Sequence, residues 1–123
     1  MKSYREIKSW QKSMDLVTQL YKETDCFPDS EKFGLTNQIR RSSVSIPSNI
    51  AEGFGRNSLN EFIRFLNIAR GSLFEMQTQI EIAQNLSFLE REIFQELIAT
   101  SVEIEKLING LINSLKVKLG TKH

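Results

Sequence analysis

Residues 58–83, SLNEFIRFLNIARGSLFEMQTQIEIA, carry the clearest helical periodicity in the chain. The apolar seam is spaced 4-3-4-3-4-3 and consists of Phe62, Leu66, Ala69, Leu73, Met76, Ile80 and Ala83. This period of about 3.5 residues is typical of helices that pack side by side with knobs in holes. Ser58 and Glu61 precede the seam with the spacing of a capping box, in which the serine oxygen accepts from a free helix N–H. The stretch therefore predicts a helix over about 59–84 that packs lengthwise against other helices.

Seams of the same kind predict three further helices, over about 4–24, 30–54 and 88–116. The seam of the first helix consists of Ile7, Trp10, Met14, Val17 and Tyr21. The seam of the last helix consists of Ile93, Leu97, Thr100, Ile104, Leu107, Leu111 and Leu115. Ser-x-x-Glu boxes at 3–6 and 87–90 predict their starts. Because short links make successive helices antiparallel neighbours, we expect an all-α, up-down-up-down four-helix bundle. It forms a single domain over 1–123, with a disordered tail over about 117–123.

The second predicted helix contains Pro47 in its middle. Its seam consists of Leu35, Ile39, Ser42, Ile46, Ile50 and Gly53. A proline inside a helix removes one N–H and presses on a carbonyl of the preceding turn, at a cost of about 3 kcal/mol. Either one helix continues with a kink, or the chain breaks and Pro47 lies in the first turn of a new helix. Because the seam stays in phase across Pro47, we expect one helix that is kinked there.

Composition and length exclude several classes of protein. The 123 residues are 40% hydrophobic, enough for one core without disulfides or metals. The single cysteine, Cys26, forms neither an intramolecular disulfide nor a cysteine-based zinc site. No apolar run is long enough to cross a membrane, and the first residues lack the apolar run of a signal peptide. We therefore expect a cytoplasmic protein without a membrane partner.

The combinations of side chains that mark common enzyme sites are hard to find in the sequence. His123 is the only histidine, so no histidine triad and no histidine-bearing metal helix can form. Cys26 has no histidine to activate it, and a plain thiol is the simpler interpretation. Residues 53–56, GFGR, lack the Lys-Ser/Thr ending of a phosphate loop and suit the end of a helix. We expect no enzymatic activity, no cofactor and no metal site.

The last two predicted helices carry more apolar residues than one bundle core requires. A core-facing helix needs about three apolar positions in seven. Phe65, Ile68, Phe94 and Ile98 lie well off the seams. The plainer interpretation is a wide core face, which accounts for some of them. The surplus predicts self-association of the chain through these two helices, with the four residues as interface candidates.

A nearly neutral net charge of +1 conceals an uneven distribution. Residues 32–70 sum to +4, whereas residues 71–110 sum to −5. Arginine suits phosphate recognition because its planar fork binds two oxygens at once. The candidate nucleic-acid contacts are Arg40, Arg41, Arg64, Arg70, Lys8 and Lys12. The alternative is that the arginines pair with the acidic helix faces, within or between subunits.

Several motifs resemble a known family. They are QIRR at 38–41, VSIPSNIAEG at 44–53, EFIRFL at 61–66, IARGSL at 68–73 and WQK at 10–12. In these motifs the chain is similar to the bacterial four-helix bundle proteins encoded within intervening sequences of 23S ribosomal RNA genes. The resemblance implies a bundle protomer that assembles into a ring-like homopentamer, with no known catalysis.

A related branch of that family serves as the accessory protein of diversity-generating retroelements, a basic pentameric barrel that binds nucleic acid and the reverse transcriptase. Arg40, Arg41, Arg64 and Arg70 match the family pattern, although this chain is nearly neutral where that branch is basic. One hypothesis is therefore an oligomer that binds ribosomal or other RNA through its arginines. The alternative is an oligomeric protein-interaction scaffold or accessory factor that does not bind nucleic acid directly.

Overall fold

The computed structural model describes residues 1–120 and shows four α-helices arranged as an antiparallel bundle. The helices are α1 (Lys8–Thr24), α2 (Leu35–Phe54), α3 (Leu59–Asn85) and α4 (Arg91–Gly120). Each helix packs on two neighbours, so that the order around the bundle is α1, α2, α3, α4 and back to α1. Residues 1–120 contain no β-strand. The prediction of an all-α, up-down-up-down four-helix bundle is confirmed.

The interface between α2 and α3 is the most extensive in the bundle. Every seam residue predicted for these two helices is buried. The helices approach closely at Gly53, where an added Cβ would lie 2.7 Å from Cβ of Phe65 and 3.1 Å from Cδ1 of Phe62. Farther along the interface, the hydroxyls of Ser45 and Ser72 form a 2.8 Å hydrogen bond. Small side chains on α2 therefore let α3 pack close to it.

The second helix runs without interruption through Pro47, which is buried. Continuity across the proline is therefore as predicted, while a kink at Pro47 stays a prediction. The predicted start at residue 30 is wrong. Asp29–Glu31 form a separate 3₁₀ turn, and α2 begins at Leu35, whose N–H donates to Oε1 of Glu31 at 3.1 Å. The Glu31 side chain satisfies a free donor of the first turn and so helps to set where the helix begins.

The first helix differs from its prediction in both start and buried face. Ser3 caps a single 3₁₀ turn over Tyr4–Glu6, and the extended backbone of Ile7 separates that turn from α1. The side chains that α1 buries are Ser9, Ser13, Leu16, Leu20 and Thr24. Of the predicted seam only Ile7 is buried, while Met14 and Tyr21 are exposed. Small hydroxyl side chains therefore occupy much of the core-facing side of α1.

The predicted cap at Ser87 is wrong, because this residue ends α3 instead of starting α4. Ser87 has a positive φ of 64°. The N–H of Phe88 donates to the carbonyl of Ala83 at 2.8 Å, and that of Ser87 donates to the carbonyl of Gln84 at 3.0 Å. These two bonds are the Schellman arrangement that closes a helix C-terminus. Consequently α4 begins at Arg91 and not at residue 88.

The fourth helix is also longer than predicted and turns a slightly different face to the core. Its buried residues are Leu97, Ser101, Ile104, Ile108, Ile112 and Leu115. Leu107 and Leu111 of the predicted seam are only half-buried. The helix continues through 117–120, where half-buried Leu119 follows Leu115 by one turn. The positive charge of Lys118 in the last turn stabilises the negative end of the helix dipole. The prediction of a disordered tail is therefore wrong for residues 117–120, while residues 121–123 lie outside the described residues.

Candidate nucleic-acid interface

Arg40 joins the start of α2 to the end of α1. Its Nε donates to Oγ1 of Thr24 at 2.9 Å, and its Nη2 donates to the carbonyl of Tyr21 at 3.1 Å and to Oδ1 of Asp25 at 3.2 Å. The guanidinium also lies 4.6 Å from the ring centroid of Tyr21. Since most of its donors are engaged within the chain, Arg40 holds two helices together.

Three other candidate cations also have partners. Arg64 donates from Nε to Oε2 of Glu61 at 2.8 Å, one turn away on α3. The two remaining cations contact α4. Nη1 of Arg70 donates to Oδ1 of Asn109 at 2.6 Å, and Nζ of Lys12 lies 2.9 Å from a carboxylate oxygen of Glu103. These contacts match the alternative in which the charged residues pair inside the protomer.

Arg41 and Lys8 differ from the other candidates. Both side chains are exposed, and neither has an ion pair or hydrogen bond with another side chain among residues 1–120. The six cations thus lie on different helix pairs. Arg40 faces α1, Arg70 and Lys12 face α4, and Arg41 lies between α2 and α3. Of the six, Arg41 offers a free guanidinium beside a groove.

That groove, here called the α2/α3 groove, is lined by polar residues. It encloses about 390 Å³ and is lined by Asn37, Gln38, Arg41, Ser42, Ser45, Glu75 and Gln79. The sequence pattern does not mark Glu75 or Gln79 as site residues, because single polar residues on a helix face resemble ordinary solvated positions. Their place beside Arg41 in one groove arises only when α2 and α3 pack together.

A second polar cluster surrounds Phe65, which is 6% exposed. The guanidinium carbons of Arg56 and Arg64 each lie 4.7 Å from its ring centroid. The hydrogen bond from Arg64 lowers the pKa of Glu61, and the positive charge of Arg56 adds to this effect. Phe65, an interface candidate from the sequence, is therefore covered within the protomer by Arg56, which pairs with Glu52, and by Arg64, which pairs with Glu61.

The other interface candidates lie at or near the surface. Ile68 is exposed on α3, while Phe94 and Ile98 of α4 are half-buried and pack against the core. Two further grooves contain exposed apolar side chains. An α1/α2 groove of about 340 Å³ is lined chiefly by Tyr4, Trp10, Met14, Val17, Val44 and Pro47. An α3/α4 groove of about 380 Å³ includes Ile82, Ile98 and Val102. The order of the helices places these two grooves on opposite sides of the bundle.

The described part of the chain contains neither a cluster of metal-binding side chains nor a helix suited to crossing a membrane. Within residues 1–120, no three His, Cys, Asp or Glu side chains converge to hold a metal ion. Cys26 is exposed, and its Sγ donates to the carbonyl of Glu23 at 3.3 Å. None of the four helices combines the length and apolarity needed to cross a membrane.

Comparison with known proteins agrees with this architecture. The model of the family described as 23S rRNA-intervening sequence protein matches residues 5–110. Among solved structures, the chain is similar to a protein with unknown function from the S23 ribosomal protein family of Bacteroides thetaiotaomicron. The two chains are 27% identical and superpose with a TM-score of 0.79, over 85% of this chain and 95% of the other. No curated protein matches the chain.

Proposed function

Because the chain belongs to the 23S rRNA-intervening sequence protein family, we propose that it is a non-enzymatic homo-oligomer that associates with RNA. The proposed oligomer is a ring of five copies, the number implied by the motifs shared with that family. The proposed RNA contact is Arg41 at the edge of the α2/α3 groove, repeated once in each copy.

The position of the exposed apolar side chains supports a ring. The α1/α2 groove and the α3/α4 groove lie on opposite sides of the bundle. Two unlike patches on opposite sides join copies head to tail, and a head-to-tail series closes into a ring when its rotation allows. Charge favours the same pairing, since residues 1–24 carry a net charge of +2 and residues 71–110 one of −5. Ile98, selected from the sequence, lies in the proposed interface.

A mixing experiment tests this head-to-tail contact. Val44→Glu places a charge in the α1/α2 groove, and Ile82→Glu places one in the α3/α4 groove, both at exposed positions. Val117→Glu, at an exposed position outside both grooves, is the matched control. By light scattering, each groove variant is expected to be monomeric alone, while an equal mixture of the two forms dimers through the one intact contact. An oligomer that persists in either groove variant would contradict the arrangement.

The observation that carries RNA association is the free guanidinium of Arg41. It is exposed, has no carboxylate partner among the described residues and borders a groove lined by amides and hydroxyls. An unpaired arginine can offer both arms of its fork to a phosphate or a base. Repetition around a ring multiplies a modest single contact, because further contacts on one strand become intramolecular. A nearly neutral protomer can in this way gain useful affinity.

Binding of a fluorescent single-stranded RNA at low and moderate salt tests this proposal. Arg41→Ala is expected to weaken binding. It is also expected to make the slope of the logarithm of the binding constant against the logarithm of the salt concentration shallower by ~0.7 per lost phosphate contact. Arg91→Ala, which also removes an exposed arginine without a partner in residues 1–120, is the matched control. Equal affinities of the two variants, or no binding by the unchanged chain at low salt, would contradict the proposal.

A specific observation also favours the second candidate, a protein-interaction scaffold. Phe33 is 88% exposed in the segment between α1 and α2, and four of the six candidate cations already have partners. An exposed aromatic side chain is typical of contacts between proteins. An intact oligomer that fails to bind RNA at low salt would favour this function over the first.

A further inference from the structure

The α2/α3 groove contains an unpaired donor and an unpaired acceptor. Arg41 supplies only donors and Glu75 only acceptors. Both side chains are exposed and line the same groove, yet neither has an ion pair or hydrogen bond in residues 1–120. The nearby amides of Asn37 and Gln38 are also without partners in this part of the chain. The groove thus presents hydrogen-bonding groups of both kinds to whatever enters it.

Gln79 gives the groove a fixed polar group as well. Its side chain lies in the wall of the groove, is only 8% exposed, and Oε1 accepts from the hydroxyl of Ser42 at 2.7 Å. That hydroxyl also lies 3.1 Å from the carbonyl of Ile39, and its one proton serves one acceptor at a time. Whichever way the Gln79 amide is turned, one of its ends has no partner among the described residues. That unpartnered end is open to solvent at the wall of the groove, where a ligand can reach it.

We infer that the α2/α3 groove binds an unpaired guanine base of an RNA strand, an inference that rests on the proposed RNA association. Guanine presents two adjacent acceptors, O6 and N7, which an arginine fork binds together. On the neighbouring edge it presents N1–H and the N2 amino group, two donors that a carboxylate accepts together. Arg41 and Glu75 supply these two complementary groups, and Gln79 adds one further hydrogen bond.

The other bases match this pair of side chains less well. Adenine places an amino donor beside its N7 acceptor, so an arginine fork meets only one acceptor there. Uracil offers the carboxylate a single N–H, and cytosine offers a single amino group. The base must be unpaired, because pairing in a duplex engages the N1 and N2 donors. The groove volume of about 390 Å³ suits a single base.

Binding to uridine-rich 12-nucleotide RNAs that differ only at two central positions tests this inference. The central residues are guanosine, adenosine or inosine, and inosine is guanosine without the N2 amino group. The guanosine RNA is expected to bind about 10-fold more tightly than the adenosine RNA. The inosine RNA is expected to lose much of this preference. Equal binding of all three RNAs would overturn the inference while leaving RNA association standing, whereas no binding of any RNA would overturn both.

Variants of the acidic group separate recognition from overall charge. Glu75→Gln is expected to abolish the preference for guanosine, even though removing a negative charge raises the affinity for every RNA. Glu96→Gln makes the same charge change at an exposed position of α4 that lines none of the three grooves, and it is expected to keep the preference. A preference that survives Glu75→Gln would overturn the assignment. Guanosine monophosphate, added as competitor, is expected to displace the guanosine RNA only weakly; displacement at equal concentrations would assign the groove to a free nucleotide instead.

Discussion

Replacing Gly53 by alanine is expected to force α3 away from α2. The added Cβ would lie 2.7 Å from Cβ of Phe65, 3.1 Å from Cδ1 of Phe62 and 3.3 Å from the Phe62 carbonyl oxygen. The nearest of these atoms is attached directly to the α3 backbone, so no side-chain rotation relieves the contact. Overpacking of this kind costs about 1–3 kcal/mol, and here the upper part of that range applies. Better helix propensity offsets about 1 kcal/mol, which leaves a net loss of about 1–2 kcal/mol.

Gly71→Ala is the matched control for this prediction. Gly71 lies within α3, and apart from the neighbouring backbone of that helix nothing lies within 4 Å of its added Cβ. Only the propensity gain applies there, so this variant is expected to be more stable by about 0.5–1 kcal/mol. Urea unfolding followed by circular dichroism measures both, at one protomer concentration because oligomers unfold in a concentration-dependent way. Equal stabilisation by the two substitutions would refute the close approach of α2 and α3.

Three further predictions concern polar contacts. Arg40→Ala is expected to destabilise the chain by about 1–3 kcal/mol in urea unfolding, because it removes charged hydrogen bonds to the end of α1. Arg41→Ala is expected to leave stability unchanged, and equal losses would contradict this division of roles. Ser58→Ala is expected to cost about 1 kcal/mol by removing the acceptor for the Glu61 N–H, and an unchanged unfolding midpoint would speak against that cap. The lowered pKa of Glu61 means that its pairing with Arg64 favours the folded state above about pH 4.5 and loses this effect as pH falls through the lowered value. An NMR titration of Glu61 in Arg64→Met is expected to show the pKa rising towards 4.5; an unchanged midpoint would exclude the pairing as its cause.

The seams of α2 and α3 were predictable because their large apolar residues coincide with the buried face. On α1 the apolar residues cover a wider face of the helix than the part that packs on the core. The periodicity therefore predicted that face, but not which part of it is buried. The buried part includes Ser9 and Ser13, which a hydrophobic pattern counts as polar. Ser13 can be buried because its hydroxyl donates to the carbonyl of Ser9 on its own helix. Trp10 and Met14 consequently lie at the edge of the α1/α2 groove.

The candidate site was harder to predict because its contacts join residues that are distant in sequence. Arg70 and its partner Asn109 are 39 positions apart, and Arg40 is 16 positions from Thr24. The sequence identified these arginines as candidates, but the partners that they bind depend on how the helices pack. The same holds for Arg41. That its side chain has no partner among residues 1–120 is known only because the structure shows which residues surround it.

Native mass spectrometry of the unchanged chain, at low ionic strength with and without a guanosine-containing single-stranded RNA, shows whether the chain forms a ring of five that binds RNA. A ring that binds RNA predicts a species of five times the 14.2 kDa chain mass that gains the mass of the RNA when it is added. A species of 14.2 kDa that gains no mass from the RNA would contradict both the oligomer and its proposed function.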